Sequence, residues 1–241
     1  MNGQKIFAEP LNVENIADCY FYHTMELPGY GVIEGRDWDL RGGVDEYLGN
    51  VAFAGQRVLE IGPASGFLTF QMEKRGADVV SVEVTAEHGW DFVPYPAARL
   101  KEVFGPRRIV MQQLKNSYWF SHAVLQSKAR MYYGDVYNLP ASLGQFDIAV
   151  MGSVLLHCRD PLRIIEQCAK MLFARPAAHI QTDFRKNSFA PPAHRVGQFG
   201  TGFNRSHPRS IGNRSGTHSV GRSNAETVSS MWKNVSVKSW R

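Results

Sequence analysis

Residues that could hold a small ligand follow one another through the first two thirds of the chain. The pattern Glu60-x-Gly62-x-x-x-Gly66 comes first, and the acidic residues Glu83 and Asp135 follow it. Glycines at positions 62 and 66 allow the backbone to turn tightly and to approach a ligand without interference from a Cβ atom. The glycine spacing differs from the dinucleotide fingerprint, and no Gly-Lys-Ser/Thr follows to complete a phosphate loop. The pattern therefore indicates neither of those two phosphate sites.

The three carboxylates suit three different parts of one ligand. A carboxylate at the end of a strand can accept both hydroxyl protons of a ribose, which suits Glu83. Asp135 can accept a hydrogen bond from an adenine amine, Val136 can pack near the ring, and Glu60 can meet an ammonium group directly or through water. A ribose, an adenine and an ammonium group describe S-adenosylmethionine better than NAD. The predicted cofactor-binding residues are Glu60, Gly62, Ala64, Gly66, Glu83, Val84, Asp135, Val136 and Ser153.

A β-α-β unit places the first two of these groups at strand ends. Residues 57–61 and 79–84 are short apolar runs that predict buried strands. Between them, residues 67–75 predict an amphipathic helix that ends at Gly76, a residue suited to a helix C-terminus. A unit of this kind implies a parallel sheet with a right-handed crossover.

The alternation of strands and helices continues along the chain. Asp160 is placed to cap a helix over 161–172, and Pro161 suits its first turn. We therefore expect an α/β, doubly wound, mainly parallel Rossmann-like sheet. Its further predicted strands cover 129–133, 146–151 and 178–184.

Residues 1–50 are predicted to form a cap or substrate segment in front of that sheet. A short helix is expected over 12–19 and another over 44–48, with a turn at 27–31, where the sequence is Leu-Pro-Gly-Tyr-Gly.

The segment 85–128 is long for a single crossover and rich in aromatic residues, including Trp90 and Tyr118. One interpretation is an inserted helix whose aromatic side chains pack on the core. The other is a substrate-facing cap over the carboxyl ends of the strands, which would bring Trp90 and Tyr118 to the substrate.

Charge and leucine content divide the chain into an acidic body and a basic tail. Residues 1–170 carry 16 Lys and Arg against 20 Asp and Glu, a net charge of −4, whereas residues 171–241 carry 11 against 2, a net charge of +9. All 15 leucines lie at or before Leu172, and no tyrosine follows Tyr137. We therefore expect three regions: the N-terminal segment 1–50, an α/β domain over 51–187, and a disordered basic tail over 188–241.

Two origins of the tail remain open. A frameshifted or replaced C-terminus would lose leucine, tyrosine and periodicity abruptly, as happens near residue 171. A genuine basic tail would instead serve to bind an anionic partner such as a nucleic acid.

Several classes of protein are disfavoured by the sequence. The chain has no apolar run of about 18 residues for a membrane helix and no apolar stretch near its start that would suggest a secretory signal. Three cysteines at unrelated spacings indicate a reduced, cytoplasmic setting. Cys158 and Cys168 stand ten residues apart without a second cysteine pair, so no metal site is predicted.

Residues 55–170 resemble a class I S-adenosylmethionine-dependent methyltransferase. The stretch 58–66, Val-Leu-Glu-Ile-Gly-Pro-Ala-Ser-Gly, resembles the glycine-rich first motif of that family. Glu83, the pair Gly134-Asp135, and the strand that leads to 157–161 follow in the order expected for the family. The resemblance implies a sheet of seven strands, so the C-terminal edge of the sheet is expected to be incomplete.

A narrower resemblance covers residues 20–170. The stretches 22–27, 35–41 and 152–157 are similar to the branch that contains tRNA wobble-uridine carboxymethyltransferases. Those enzymes carry a tyrosine where this chain has Leu156, so ordinary S-adenosylmethionine is expected rather than its carboxylated form. An acidic body also lacks the phosphate-binding surface that a tRNA requires.

Methyl transfer requires a base only when the acceptor must lose a proton. His157, just beyond the fourth predicted strand, is the candidate base; the alternative is a histidine that orders its loop by hydrogen bonding. His23 and Arg41 are candidate contacts to the acceptor, and the alternative for each is a local surface interaction. The predicted function is methyl transfer to a small-molecule or nucleoside acceptor. The alternative is a non-catalytic module whose basic tail binds nucleic acid.

Overall fold

The computed structural model describes residues 6–85, 97–173 and 179–183, with side chains except at 97–104 and 179–183. The predictions for Trp90 and for the tail 188–241 lie outside the described residues. Four short 3-10 turns accompany the regular elements of the described ranges. These elements are β1 (Met25–Leu27), β2 (Gly31–Ile33), α1 (Val44–Tyr47), β3 (Arg57–Ile61), α2 (Phe67–Lys74), β4 (Asp78–Glu83), α3 (Ala97–Val124), β5 (Arg130–Tyr133), β6 (Ile148–Gly152), α4 (Pro161–Met171) and β7 (His179–Asp183).

The described strands β3 to β7 form one sheet in the order β5-β4-β3-β6-β7, and each neighbouring pair is parallel. The chain winds outward from β3 first through β4 and β5 and then in the opposite direction through β6 and β7. This doubly wound, Rossmann-like arrangement confirms the predicted α/β class. The carboxyl ends of β3 and β6 meet where the order reverses, which is where open α/β sheets bind ligands. The expected incomplete edge beyond Asp183 lies outside the described residues.

The predicted elements around that reversal are confirmed because their sequence signals are local. β3 and β4 are buried on both faces, as continuous apolar runs in a parallel sheet require. The N-terminus of α4 is capped by Asp160, whose carboxylate accepts a hydrogen bond of 3.0 Å from the backbone N–H of Arg163. Pro161 occupies the first turn of that helix, as predicted.

The two faces of the sheet bury separate sets of apolar side chains. Val58 of β3 joins a core cluster with residues of α2, α3 and the N-terminal segment. Leu59 and Ile61 join a second cluster on the opposite face, where α4 contributes Ile164 and Cys168. Because side chains alternate along a strand, Glu60 lies on the same face as Val58 and faces α2 and α3.

One local prediction is wrong, and at two further places the structure adds detail to the prediction. Residues 12–19 do not form an α-helix; only Ile16–Asp18 form a 3-10 turn, and Asn15 caps it by accepting a hydrogen bond from the Ala17 N–H. The turn at 27–31 closes an antiparallel pair, β1 and β2, whose three-residue strands are too short to give a periodic pattern. The crossover between β4 and β5 contains a helix of 28 residues, α3.

Ion pairs and hydrogen bonds of charged side chains connect the amino ends of the central strands. The Arg57 guanidinium donates hydrogen bonds to the carbonyl oxygens of Leu143 and Gln145 at 2.8 and 2.7 Å and lies 4.5 Å from the centre of the Phe146 ring. Asp78, at the start of β4, pairs with Arg57 at 3.4 Å and with Arg130, at the start of β5, at 2.8 Å. This edge of the sheet is the one opposite to the glycine-rich turn.

Candidate active site

The turn between β3 and α2 contains three residues with left-handed backbone. Gly62 has a φ of +75°, Ala64 of +51° and Gly66 of +89°. A Cβ atom at position 62 would lie 2.8 Å from Cγ2 of Val154, and one at position 66 would lie 2.9 Å from Cδ2 of Tyr118. Glycine is therefore required at both positions by backbone conformation and by neighbouring side chains. Ala64 adopts a φ that is uncommon for a residue with a side chain, and such strain is concentrated at functional sites.

Glu83 lies directly against this turn. Its carboxylate accepts a hydrogen bond of 2.9 Å from the backbone N–H of Val84, and the backbone N–H of Ala64 lies close enough to act on its pKa. Burial raises the pKa of Glu83 to about 7, although both N–H groups oppose the rise. The structure thus brings together three residues that the sequence predicts to bind a cofactor: Ala64, Glu83 and Val84.

Glu60 is almost completely buried, with 1% of its surface exposed. Its Oε2 atom accepts hydrogen bonds from the Thr69 hydroxyl at 2.5 Å and from the Ser81 hydroxyl at 2.8 Å. Its Oε1 atom is buried and has no hydrogen-bond partner. Burial raises the pKa of Glu60 to about 7, and the charge of Glu83 adds to the rise. A carboxylate with one unpaired, buried oxygen is suited to accept a hydrogen bond from a cation.

A cavity of about 140 Å³ opens beside the turn and Glu83. Pockets that enclose a whole ligand are usually about 300–1,000 Å³, so this cavity accommodates part of a nucleoside-sized ligand. The side chains and backbone that line it come from the turn, the ends of β4 and β5, and the middle of α3. They include Ala64, Glu83, Val84, Lys115, Tyr118 and Tyr133.

Asp135 and Val136 follow β5 at the same edge of the sheet. The Gly134 N–H donates a hydrogen bond of 2.9 Å to the backbone oxygen of Glu83, which places position 135 beside the end of β4. One carboxylate oxygen of Asp135 accepts a hydrogen bond of 2.9 Å from the Tyr137 N–H and caps a 3-10 turn. Val136 is buried. Asp135 and Val136 therefore follow β5, the strand next to β4, which ends at Glu83.

Ser153 marks the carboxyl end of β6 and has a left-handed backbone, with a φ of +54°. Its hydroxyl lies 3.2 Å from the Tyr47 hydroxyl of α1, within hydrogen-bond distance. A Cβ atom at position 152 would lie 3.3 Å from that same Tyr47 oxygen. Sequence reasoning missed Tyr47, which is separated from Ser153 by 106 positions and belongs to no motif.

His157 lies in a 3-10 turn that follows Ser153 and Val154. The turn covers Leu155–His157; Leu155 is buried, while Leu156 and His157 are exposed. The Val154 side chain lies close to Gly62, since a Cβ atom at position 62 would be 2.8 Å from Val154 Cγ2. This turn therefore begins next to the glycine-rich turn. The predicted base therefore follows a segment that contacts the predicted cofactor site.

The N-terminal segment also contacts the glycine-rich turn. The backbone N–H groups of Tyr22 and His23 donate hydrogen bonds to the Ser65 hydroxyl oxygen at 3.2 and 3.4 Å. The ring of His23 packs against Phe67, with 5.5 Å between centroids. Burial lowers the pKa of His23 to about 4, which keeps its imidazole neutral, and its Nδ1 atom has no hydrogen-bond partner.

The remaining predicted substrate residues are not brought together. Arg41 pairs with Asp39 at 2.7 Å and borders a separate open groove, together with Met25 and Phe70. Tyr118 is buried in the wall of the cavity, with 1% of its surface exposed. The acceptor roles of these two residues stay predictions.

Buried polar atoms without a partner are concentrated around the glycine-rich turn. Across the described side chains, the buried side-chain nitrogen and oxygen atoms without a hydrogen-bond partner are His23 Nδ1, Glu60 Oε1 and Tyr118 Oη. Glu60 precedes the turn, Tyr118 packs on Gly66, and His23 is joined to Ser65. Such groups are rare in folded proteins and often mark sites of function.

The described residues contain neither a cluster of metal-binding side chains nor a membrane-spanning helix. In residues 6–85, 97–173 and 179–183, no three or more His, Cys, Asp or Glu side chains are grouped as a metal site would require. No helix in these same ranges combines the length and the apolar character needed to cross a membrane.

The amino-acid sequence of the chain is similar to those of known methyltransferases. No family model matches the chain. It is 26% identical over 122 residues to the ubiquinone biosynthesis O-methyltransferase of Psychrobacter cryohalolentis, covering 51% of this chain and 38% of the relative. The enzyme of the same name from Pectobacterium carotovorum is 25% identical over 184 residues, covering 70% and 64%. The chain thus spans between about two fifths and two thirds of the length of these curated relatives.

Several solved structures also align with part of the chain, at lower sequence identity. The N-terminal domain of EvdMO1, determined with SAH and D-fucose, aligns with a TM-score of 0.42 and 22% identity over 64% of this chain and 55% of that one. The magnesium protoporphyrin IX methyltransferase of Synechocystis, with bound SAH, aligns with a TM-score of 0.38 and 14% identity over 55% and 50%.

Proposed function

We propose that this chain is an S-adenosylmethionine-dependent methyltransferase that acts on a hydroxyl group of a small-molecule acceptor. The observation that carries the proposal is the position of Glu83, whose carboxylate lies on the glycine-rich turn and borders the cavity. The relatives named as O-methyltransferases support both the class of reaction and oxygen as the atom that receives the methyl group.

The residues at the site fit the adenosine part of that cofactor. A carboxylate offers about four lone-pair positions; Glu83 accepts one hydrogen bond from the Val84 N–H and lies near the Ala64 N–H, which leaves at least two positions for ribose hydroxyls. Asp135 has one oxygen engaged by the Tyr137 N–H and another available for the adenine amine. Val84 and Val136 supply apolar surface for the ring. Glu60, with its unpaired Oε1, would accept a hydrogen bond from the ammonium group.

The cofactor, when bound, supplies an electrophilic methyl group on a sulfonium ion. The chain must orient the acceptor and remove its proton. We propose His157 as the base that accepts this proton. It lies beyond β6 on an exposed turn, where an acceptor hydroxyl can reach it. His23 is neutral and lies at the glycine-rich turn, so it would contact the acceptor through a hydrogen bond rather than through a charge. Residues of α3 and the N-terminal segment exclude water from the turn.

Nucleoside acceptors are the alternative within the same class of reaction. The resemblance to wobble-uridine enzymes at 22–27, 35–41 and 152–157 supports them, whereas the names of the relatives support a small hydroxylated compound. A panel of phenols, catechols and uridine derivatives, assayed by mass spectrometry for a gain of one methyl group, separates the two acceptor classes. Binding without turnover of any acceptor would favour the non-catalytic module instead.

Calorimetry with S-adenosylmethionine and S-adenosylhomocysteine tests the cofactor site. Glu83→Gln keeps the size of the side chain and removes its charge, and we expect it to weaken both ligands at least tenfold, as the loss of charged hydrogen bonds implies. Glu166→Gln, on the exposed face of α4, is the matched control and should bind like the unaltered protein. If the unaltered protein binds neither ligand, the proposed function is wrong.

A further inference from the structure

Residues 20–38 form one unit that contacts the glycine-rich turn. Within it, the Thr24 N–H donates a hydrogen bond of 2.7 Å to the backbone oxygen of Trp38. A Cβ atom at position 35 would overlap the backbone of His23, so glycine is required for this close approach. Because these contacts join the two halves of the segment, a displacement of one half carries the other with it. We call this segment the 20–38 unit.

The 20–38 unit is attached to α3 through its first residue. The Ser117 hydroxyl oxygen lies 2.6 Å from the Tyr20 backbone oxygen, within hydrogen-bond distance. The Tyr20 N–H donates a hydrogen bond of 3.1 Å to the Gln113 backbone oxygen. Two polar contacts at one residue, one of them short, fix a point about which the rest of the unit can rotate.

Ser65 attaches the same unit to the glycine-rich turn. Ser65 is fully buried, and its hydroxyl oxygen accepts hydrogen bonds from the N–H groups of Tyr22 and His23 at 3.2 and 3.4 Å. The commonest N–H···O distance is about 2.9–3.0 Å, so both bonds are long and a small shift of the turn strengthens or weakens them. The 20–38 unit therefore has a firm attachment at Tyr20 and an adjustable one at Ser65.

The position of Ser65 makes the adjustable attachment responsive to a ligand on the turn. Ser65 lies between Ala64 and Gly66, which have left-handed φ values of +51° and +89°. The Ala64 N–H lies close to the Glu83 carboxylate, and Ala64 and Glu83 both line the cavity. A ligand that contacts Glu83 and the turn therefore acts on the backbone next to Ser65.

We propose that Ser65 is a positioning residue that connects cofactor binding with the placement of His23. A ligand on the turn orders residues 62–66, tightens the two hydrogen bonds to Ser65 and holds the His23 ring against Phe67, where the centroids are 5.5 Å apart. The buried Nδ1 atom of His23, which has no hydrogen-bond partner, is then held in place to contact the acceptor. This inference rests on the proposed function and extends it, because the cofactor binds first and prepares the contact with the acceptor.

Hydrogen exchange of single backbone amides, followed by NMR with and without S-adenosylhomocysteine, tests this connection. In the unaltered protein we expect the ligand to slow the Tyr22 and His23 amides at least tenfold more than the Tyr20 amide, which is bonded to α3. The comparison with Tyr20 removes the general stabilisation that any ligand provides. In Ser65→Ala this additional slowing should be less than about twofold. Ser142→Ala, at an exposed position, is the matched control and should keep the full effect.

A merely structural role of Ser65 gives a different result, because its loss would speed exchange equally with and without the ligand. Equal slowing in Ser65→Ala and in the unaltered protein, or no additional slowing in an unaltered protein that binds the ligand, overturns the inference while the proposed function stands. If the thermal midpoint shows that Ser65→Ala does not fold, the tenfold criterion in the unaltered protein decides.

Calorimetry on the same variants separates Ser65 from the cofactor site. The Ser65 hydroxyl is engaged by the 20–38 unit, so Ser65→Ala should bind S-adenosylhomocysteine within about threefold of the unaltered protein. A larger loss would place Ser65 in the cofactor site and overturn its role in positioning His23. Absence of binding to the unaltered protein overturns the proposed function and this inference together.

Discussion

Replacing Glu60 by glutamine should make the protein more stable at alkaline pH. Burial raises the pKa of this carboxyl group from 4.5 to about 7. Each pKa unit corresponds to about 1.4 kcal/mol, so ionised Glu60 destabilises the folded state by about 3 kcal/mol. Glutamine keeps the shape and an acceptor oxygen for Thr69 and Ser81 but carries no charge.

The pH dependence has a definite sign. Folded Glu60 binds its proton more tightly than the unfolded chain does, so the folded state is favoured while the group is protonated. The free energy of unfolding should therefore fall as the pH rises from about 4.5 to about 7 and then level off. Glu60→Gln lacks this titration, and its stability relative to the unaltered protein should increase by about 3 kcal/mol between pH 4.5 and pH 8.

Urea unfolding at several pH values, followed by tryptophan fluorescence, to which the buried Trp119 contributes, measures this difference. Glu83 titrates in both proteins, so its contribution largely cancels in the comparison. Glu166→Gln, at an exposed position, should show a difference that does not vary with pH. If the relative stability of Glu60→Gln changes by less than about 1 kcal/mol across this range, the account of Glu60 as an enclosed carboxylate is refuted.

Three further substitutions test the local geometry by chemical denaturation. Gly62→Ala should destabilise by about 2–3 kcal/mol because of its φ and the contact with Val154, and adding Val154→Ala should restore part of the loss; no loss would contradict the close contact. Asp160→Ala should cost about 1 kcal/mol through loss of the α4 cap, and Asp160→Asn much less; equal losses would argue against capping. Ser153→Ala should cost about 1 kcal/mol, and Ser153→Gly less because glycine tolerates the left-handed φ; the reverse order would contradict that strain.

The central part of the fold could be predicted from sequence because its signals lie within a few residues of one another. The strand β3, the glycine-rich turn and the cap at Asp160 each depend on neighbouring residues. The helix α3 was harder to predict, since Gly105 and Pro106, two residues that disfavour helix, lie inside it. The 3-10 turn at Ile16–Asp18 shows the opposite error, because a helical pattern there lacked enough contacts to form a longer helix.

For a similar reason, only some contacts of the candidate site could be predicted from the sequence. Glu83 and Asp135 stand at strand ends, and parallel strands bring their carboxyl ends to one edge, so their proximity follows from topology. The contacts of Ser65 with His23 and of Ser153 with Tyr47 join residues 42 and 106 positions apart. Such pairs depend on how the N-terminal segment packs, which no local pattern encodes. The unpaired atoms of Glu60 and Tyr118 are likewise visible only in three dimensions.

The ion pairs of Arg57, Asp78 and Arg130 connect the amino ends of β3, β4 and β5, whereas the left-handed residues Ala64 and Ser153 lie beyond the opposite ends of β3 and β6. Under the proposed function, the residues that anchor the sheet are therefore separate from those that would contact ligands. Point substitutions around the carboxyl edge would then change the proposed acceptor preference and leave the ion pairs at the amino ends in place. Directed evolution of this chain is therefore best confined to that edge, with the three charged anchors left unchanged.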